Sequence, residues 1–222
     1  MSLTVYGAPL SPFVRKLRLC LAEKGLDYHL QIILPFNQPD WYRELSPLGR
    51  IPAFQDGDFT LADSSVICQY LEDKYPDRQA LLGSTAEQRA QVRWLEKYAD
   101  YELATLCTFT VFRNRTLRPS LGQACDEVAV QAALADRLPP HFDYLEKTLA
   151  GADYFVGNRL TLADLAVTSQ VVNMEHGAEQ LDEQRWPGLA ALVARIKARP
   201  TAQELLQGER KILAKMAANA QP

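Results

Sequence analysis

Apolar positions change their spacing along the 222-residue chain, and the change divides it in two. In the first third, short runs alternate between the two-residue period of a strand and the three-to-four-residue period of a helix. Leu3 to Tyr6 (LTVY) is a β-prone run, after which Val14, Leu17 and Leu21 recur at helical spacing. A strand follows in Tyr28 to Ile33, then a loop with Pro35 and Pro39 and a short helical patch near Trp41 to Leu45. Ala53 to Gln55 and Phe59 to Leu61 flank Asp56-Gly57, a strong two-residue hairpin signal. A helix that begins near Asp63, with an apolar face of Val66, Ile67, Tyr70 and Leu71, ends at Tyr75-Pro76. The order βαβ, then ββα, predicts a small mixed sheet with helices packed on it.

After Pro76 the strand-like alternation disappears. Residues 78–86 read as a linker, and helical period takes over in Glu87 to Asn114, Cys125 to Leu149, Thr161 to Asn173, Gly188 to Lys197 and a last piece from Thr201. The expected organisation is an α/β domain over residues 1–77 and an all-α domain over residues 87–222, with the terminal AANAQP frayed. The clearest boundary is NRLTLAD, where Thr161 and Asp164 form a capping box and Leu160 can staple onto Leu165. Its role reads as structural.

Composition narrows the function classes. With 47% apolar and 23% charged residues the chain is globular, and it is long enough for two modest cores. A net charge of −3 gives no basic footprint, so nucleic acid is not expected as a partner. No stretch approaches the ~18 apolar residues that cross a bilayer, and no charged-then-apolar leader opens the chain, which predicts a cytoplasmic protein without membrane contact. Cys20, Cys68, Cys107 and Cys125 are scattered, as reduced thiols are, with Cys20 and Cys68 in core positions. His29, His141 and His176 are isolated, and no metal is expected.

Three stretches of the first domain carry candidate chemistry. In PLSPFVRK, Ser11 is a favoured N-cap and Pro12 suits the next position, so a helix starts there, runs to about Lys24 and stops at Gly25. Its first turn holds Arg15 and Lys16 where the helix dipole favours acids, at a cost of ~0.3–1 kcal/mol. Either these charges are tuned for an anion or, in the blander and preferred reading, two solvated bases tolerate the penalty. ADSS, Ala62 to Ser65, is a second helix start. Two helix N-termini near one sheet edge can hold two anionic groups of one ligand. LGRIP, Leu48 to Pro52, puts a proline where a strand should begin. A cis Ile51-Pro52 bond, which sequence does not establish, would leave Ile51 to pair its backbone with an extended, peptide-like ligand.

SPFVRK after a first strand, GRIPAFQDGD, the helix start LADSS and the later NRLTLAD together resemble the cytosolic glutathione transferase family, serine-type and bacterial theta-, phi- or zeta-like, over nearly the whole chain. The resemblance implies an N-terminal thioredoxin-like α/β domain that binds glutathione and a C-terminal all-α helical bundle that lines an acceptor pocket. It also implies a homodimer serving detoxification, with glutathione as co-substrate and no further cofactor. Ser11 matches the residue whose hydroxyl donates a hydrogen bond to the glutathione sulfur, as a stabiliser and not a nucleophile. A free thiol with pKa near ~8.5 is mostly protonated at neutral pH. Lowering it by two units takes about 2.7 kcal/mol. A hydroxyl donor to a charged acceptor contributes roughly 1.5–3 kcal/mol and a helix N-terminus roughly 0.3–2, which suffices without a metal. Arg15 adds positive potential near the sulfur, or serves as a surface base.

The same resemblance assigns the rest of the site. Ile51 matches the position whose main chain pairs with the cysteinyl part, with Pro52 as the cis proline; Arg50 either contacts the peptide or points to water. Asp63 and Ser64 match the acidic-Ser pair at the γ-glutamyl end, Ser64 and its N–H on the carboxylate and Asp63 facing the amino group, where many relatives have the longer Glu. Gln38 and its loop are candidates for the glycine carboxylate. Pro9, Leu10 and Phe36 would meet Phe109, Phe112 and Arg113 in an apolar acceptor slot with one cation. Trp94 and Tyr98 read as aromatic core, while Arg113, Arg115 and Arg118 favour an anionic acceptor or form a solvated helix end.

Rival chemistries lack their residues. A redox thiol-transferase needs a cysteine in place of Ser11 or a CxxC, and GxSxG, GxGxxG and GxxxxGK are absent. The expected function is thiolate attack on an electrophilic, mostly apolar small molecule. The alternatives are a glutathione-dependent isomerase, dehalogenase or peroxidase, or a non-catalytic binding or regulatory protein on the same fold.

Overall fold

The computed structural model describes residues 3–219. The described residues form two compact units, which divide after Leu82. The first contains β1 (Leu3–Tyr6), α1 (Pro12–Glu23), β2 (Tyr28–Gln31), α2 (Tyr42–Leu45), β3 (Ala53–Asp56), β4 (Phe59–Ala62) and α3 (Ser64–Lys74). The strands lie in the order β2-β1-β3-β4, with β1 parallel to β2 and antiparallel to β3, and β3 antiparallel to β4. This is the thioredoxin-like arrangement. Its register puts Tyr6, Ala53 and Ala62 in one row. The chain leaving β1, entering β3 and leaving β4 therefore passes the same edge of the sheet.

Helices α1 and α3 pack together, burying Val14, Leu17 and Leu21 of one and Ile67, Cys68 and Leu71 of the other. Gly7 lets the end of β1 approach α1, since a Cβ there would lie 2.5 Å from a Val14 methyl. Val66, expected on the apolar face of α3, is exposed; Ser64 and Ser65 are buried on that helix instead. The hairpin also differs from expectation by one residue. Pairing of Asp56 with Phe59 makes Gly57-Asp58 the loop, with Gly57 at φ +60°, a conformation that suits glycine. Asp56 is held in β3 because its buried carboxylate accepts from the Tyr70 hydroxyl at 3.0 Å and pairs with Lys74. Residues 78–82, linker-like in composition, are docked on this unit. Glu72 pairs with Lys24 at 2.6 Å and accepts the amides of Leu81 at 3.1 Å and Leu82 at 3.2 Å.

The second unit is all-helical. Helix α4 (Ala86–Tyr98) runs on through a π-helical segment, Ala99–Leu117, into α5 (Arg118–Ser120). Then come α6 (Glu127–Ala132), a π-helical piece Ala133–Arg137, α7 (Leu138–Leu149), α8 (Leu162–His176), α9 (Pro187–Lys197) and α10 (Pro200–Asn219). Of the tail expected to fray, Ala217 to Asn219 continue α10, and residues 220–222 lie outside the described residues. Helix α8 is buried from Leu162 through Met174 on every side, packed by α4 and the π-helical segment, as a central helix must be. Its capping box is present, with the Thr161 amide donating to Asp164 Oδ2 at 2.7 Å and the Phe155 amide to Oδ1 at 2.9 Å. Along the π-helical segment Ala99, Leu103, Cys107 and Val111 are buried while Tyr101, Thr105, Phe109 and Arg113 are exposed. Among the described residues no helix is long and apolar enough to cross a membrane.

Candidate functional site

Three connections pass the sheet edge marked by Tyr6, Ala53 and Ala62, and each presents hydrogen-bonding groups with no partner among the described residues. The first follows β1. Ser11, extended at φ −72° and ψ 127°, caps α1 by accepting the Val14 amide at 3.4 Å. A hydroxyl has a proton to donate besides its lone pairs. That proton has no acceptor among the described residues, so capping and donation to a ligand are compatible.

The second connection enters β3. Ile51-Pro52 is cis, and Ile51 lies outside both ladders, its N–H and C=O without partners among the described residues. The Arg50 carbonyl just before it accepts from the Tyr42 hydroxyl at 2.9 Å and the Ser46 hydroxyl at 2.8 Å. Burial pushes the Tyr42 phenol up to about 12, so it remains a donor at any working pH. Tyr42 packs in a small core with Tyr6, Ile33 and Ala53, against which Ile51 rests. Sequence reasoning missed this clamp because its acceptor is a backbone atom that only the turn brings within reach. The Arg50 side chain is exposed to water.

The third connection leaves β4. Asp63 caps α3, its Oδ1 accepting the amides of Ser65 at 2.9 Å and Val66 at 3.2 Å. Its backbone sits at φ 78°, unusual for a non-glycine residue and costing about 1–3 kcal/mol. Half of the carboxylate expected to face an amino group is thus engaged in the cap, and Oδ2 is left. Ser64 begins the helix, 4% exposed, with neither its amide nor its hydroxyl paired among the described residues. Strands lie about 4.8 Å apart, so the three ends span about 10 Å. Three extended residues have that length.

Several expected roles change. Arg15 and Lys16 are not solvated bases: each is only 1% exposed. Lys16 Nζ donates to Ser65 Oγ at 3.1 Å, a pairing no local pattern signals. Gln38 donates both amide hydrogens to loop carbonyls, to Leu34 at 3.0 Å and Gly49 at 2.9 Å. What it retains is an acceptor, which cannot bind a carboxylate. Pro9, Leu10 and Phe36 are half-buried in the connections after β1 and β2. On the second unit the predicted trio separates: Phe109 and Arg113 are exposed, while Phe112 is buried with its ring 6.4 Å from that of His176. Arg115 is committed to Glu127 and Glu179, and Arg118 bonds Asn114. Trp94, read as core, is 58% exposed and donates its indole N–H to the Tyr144 hydroxyl at 2.8 Å. Tyr98 is half-buried, its hydroxyl 2.6 Å from His141 Nδ1.

Known proteins share this architecture. Residues 5–79 match the glutathione S-transferase N-terminal domain and residues 121–209 the glutathione S-transferase C-terminal domain. Glutathione S-transferase 3 of Zea mays is 36% identical, covering 73% of this chain and 73% of that protein. Glutathione S-transferase PARB of Nicotiana tabacum is 30% identical, over 90% of this chain and 95% of its own. The crystal structure of a glutathione S-transferase from Rhodospirillum rubrum F11 aligns with a TM-score of 0.84 at 29% identity, covering 92% of this chain and 91% of that one. The chain belongs to the glutathione S-transferase family.

Proposed function

We propose that this protein is a glutathione transferase of the serine type, which activates the glutathione thiol as a thiolate for attack on an electrophilic, mostly apolar small molecule. The observation that carries the reading is the set of unused groups at one sheet edge: the Ser11 proton, the Ile51 main chain, and the Ser64 amide and hydroxyl. Ser64 takes the γ-glutamyl carboxylate with help from the positive end of α3, and Asp63 Oδ2 faces the amino group. The Ile51 main chain pairs with the cysteinyl residue, which leads the thiol to Ser11. The Ser11 hydroxyl donates to the sulfur while its lone pair stays on the Val14 amide.

In the reaction the thiol proton leaves to solvent and a sulfur lone pair forms the bond to the electrophilic carbon. The displaced group departs with its electron pair, or the pair moves into the acceptor, which then takes a proton. In the first unit Pro9, Leu10 and Phe36 are the residues read as contacting the acceptor, and in the second Phe109 and Arg113; Phe112 and Gln38 receive no role. Homodimerisation accompanies this reading and is supported by exposed aromatic surface at Trp94, Tyr101 and Phe59. Light scattering checks it, a monomer ruling it out. Calorimetry with glutathione, followed by assays on a panel of electrophiles, halides and hydroperoxides, tests the function. Binding with product formation is expected, and no glutathione binding overturns the reading.

A further inference from the structure

We propose that Lys16 is a positioning residue for the γ-glutamyl end of the ligand, acting through Ser65. The proposal rests on the assignment of Ser64 above. Lys16 lies five residues after Ser11 on α1, and its ammonium reaches α3 to donate to Ser65 Oγ at 3.1 Å. Ser65 is itself buried, and its amide is held by Asp63 Oδ1 at 2.9 Å. The residue that follows Ser64 is therefore gripped twice, at its side chain from α1 and at its backbone by the cap of its own helix.

Packing alone does not explain a lysine here. Burying an ammonium is costly, and Met or Leu would fill the space without that cost. Among its interactions the lysine adds a directed, charge-assisted hydrogen bond between α1 and α3. Helix α1 carries Ser11 at its cap, and α3 carries Ser64 at its first position. The bond thus sets the spacing between the sulfur end and the γ-glutamyl end of the site. It also explains why two adjacent serines open α3, one facing the ligand and the other facing Lys16.

The test is a double-mutant cycle read by calorimetry with glutathione, using the full chain as wild type, Lys16→Met, Ser65→Ala and the double variant. Each single change is expected to raise Kd about tenfold, and the double variant to lose no more than either single. The pKa of the bound thiol should not move, because Ser11 is intact. A merely structural lysine would lower the melting temperature and leave Kd unchanged well below it. Wild-type Kd in Lys16→Met, or losses that multiply in the double variant, overturns the proposal. If Lys16→Met does not fold, Ser65→Ala decides alone, and an unchanged Kd there is equally fatal. Failure of the wild type to bind glutathione is a different result, which overturns the proposed function and this assignment with it.

Discussion

Replacing Asp164 by asparagine tests the electrostatics of the second unit, because its carboxylate is fully buried yet accepts the amides of Phe155 and Thr161 and the Thr161 hydroxyl at 2.9 Å. Burial, only partly offset by those bonds, pushes this carboxyl from 3.8 up to about 6. The folded state therefore holds the proton more tightly than the unfolded chain. The stabilisation linked to that proton is complete below about pH 4 and lost as pH rises through about 6. A shift of about two units corresponds to about 3 kcal/mol between those limits, of which about 1.4 kcal/mol falls between pH 7.5 and pH 5. Other acids run the opposite way. Bonds from Arg115 hold Glu127 down at about 2, and those from Trp186 and Arg185 hold Asp143 low. The measurement is accordingly a difference: urea denaturation of wild type and Asp164→Asn at both pH values. Wild type should gain about 1.4 kcal/mol more than the variant on acidification, and the variant should be about 1–3 kcal/mol less stable at pH 7.5, where its NH2 meets a backbone donor. Identical pH dependence in the two proteins would refute the reasoning.

Two further substitutions separate stability from binding in the first unit. Glu72→Gln leaves Lys24 buried without its counter-ion, and urea denaturation should show a loss of about 3–5 kcal/mol; a change under 1 kcal/mol would mean that Lys24 reaches water. Asp63→Gly relieves the left-handed backbone and costs only a few tenths of a kcal/mol in capping, so the melting temperature should hold or rise while glutathione binding weakens. Unchanged affinity in that variant would remove Asp63 from the site.

Local rules made much of the site legible. Ser11-Pro12, Thr161 with Asp164, and the alternation of periods all depend on neighbours within a few positions, and the elements they start are present. What escaped depends on contacts across the fold. Lys16 is charged and near a helix start, which locally reads as solvated; its partner lies 49 positions away on a helix that packs beside its own. Gln38 was a reasonable donor until the loop carbonyls of Leu34 and Gly49 took both hydrogens. Phe112, expected in the acceptor slot beside Phe109, packs inward near the His176 ring while Phe109 stays exposed, a difference set by the helices around it. The hairpin loop moved by one residue because Asp56 has partners on α3.

The central claim is that the Ser11 hydroxyl stabilises a sulfur anion while it caps α1. The direct measurement is the pH titration of thiolate absorbance for glutathione bound to wild type and to Ser11→Ala, with circular dichroism confirming that α1 remains folded. In wild type the midpoint should lie about two units below the ~8.5 of a free thiol, and in the variant it should return upward by at least about one unit. A bound thiol that titrates near ~8.5 in the wild type, or at the same pH in both proteins, would contradict the account.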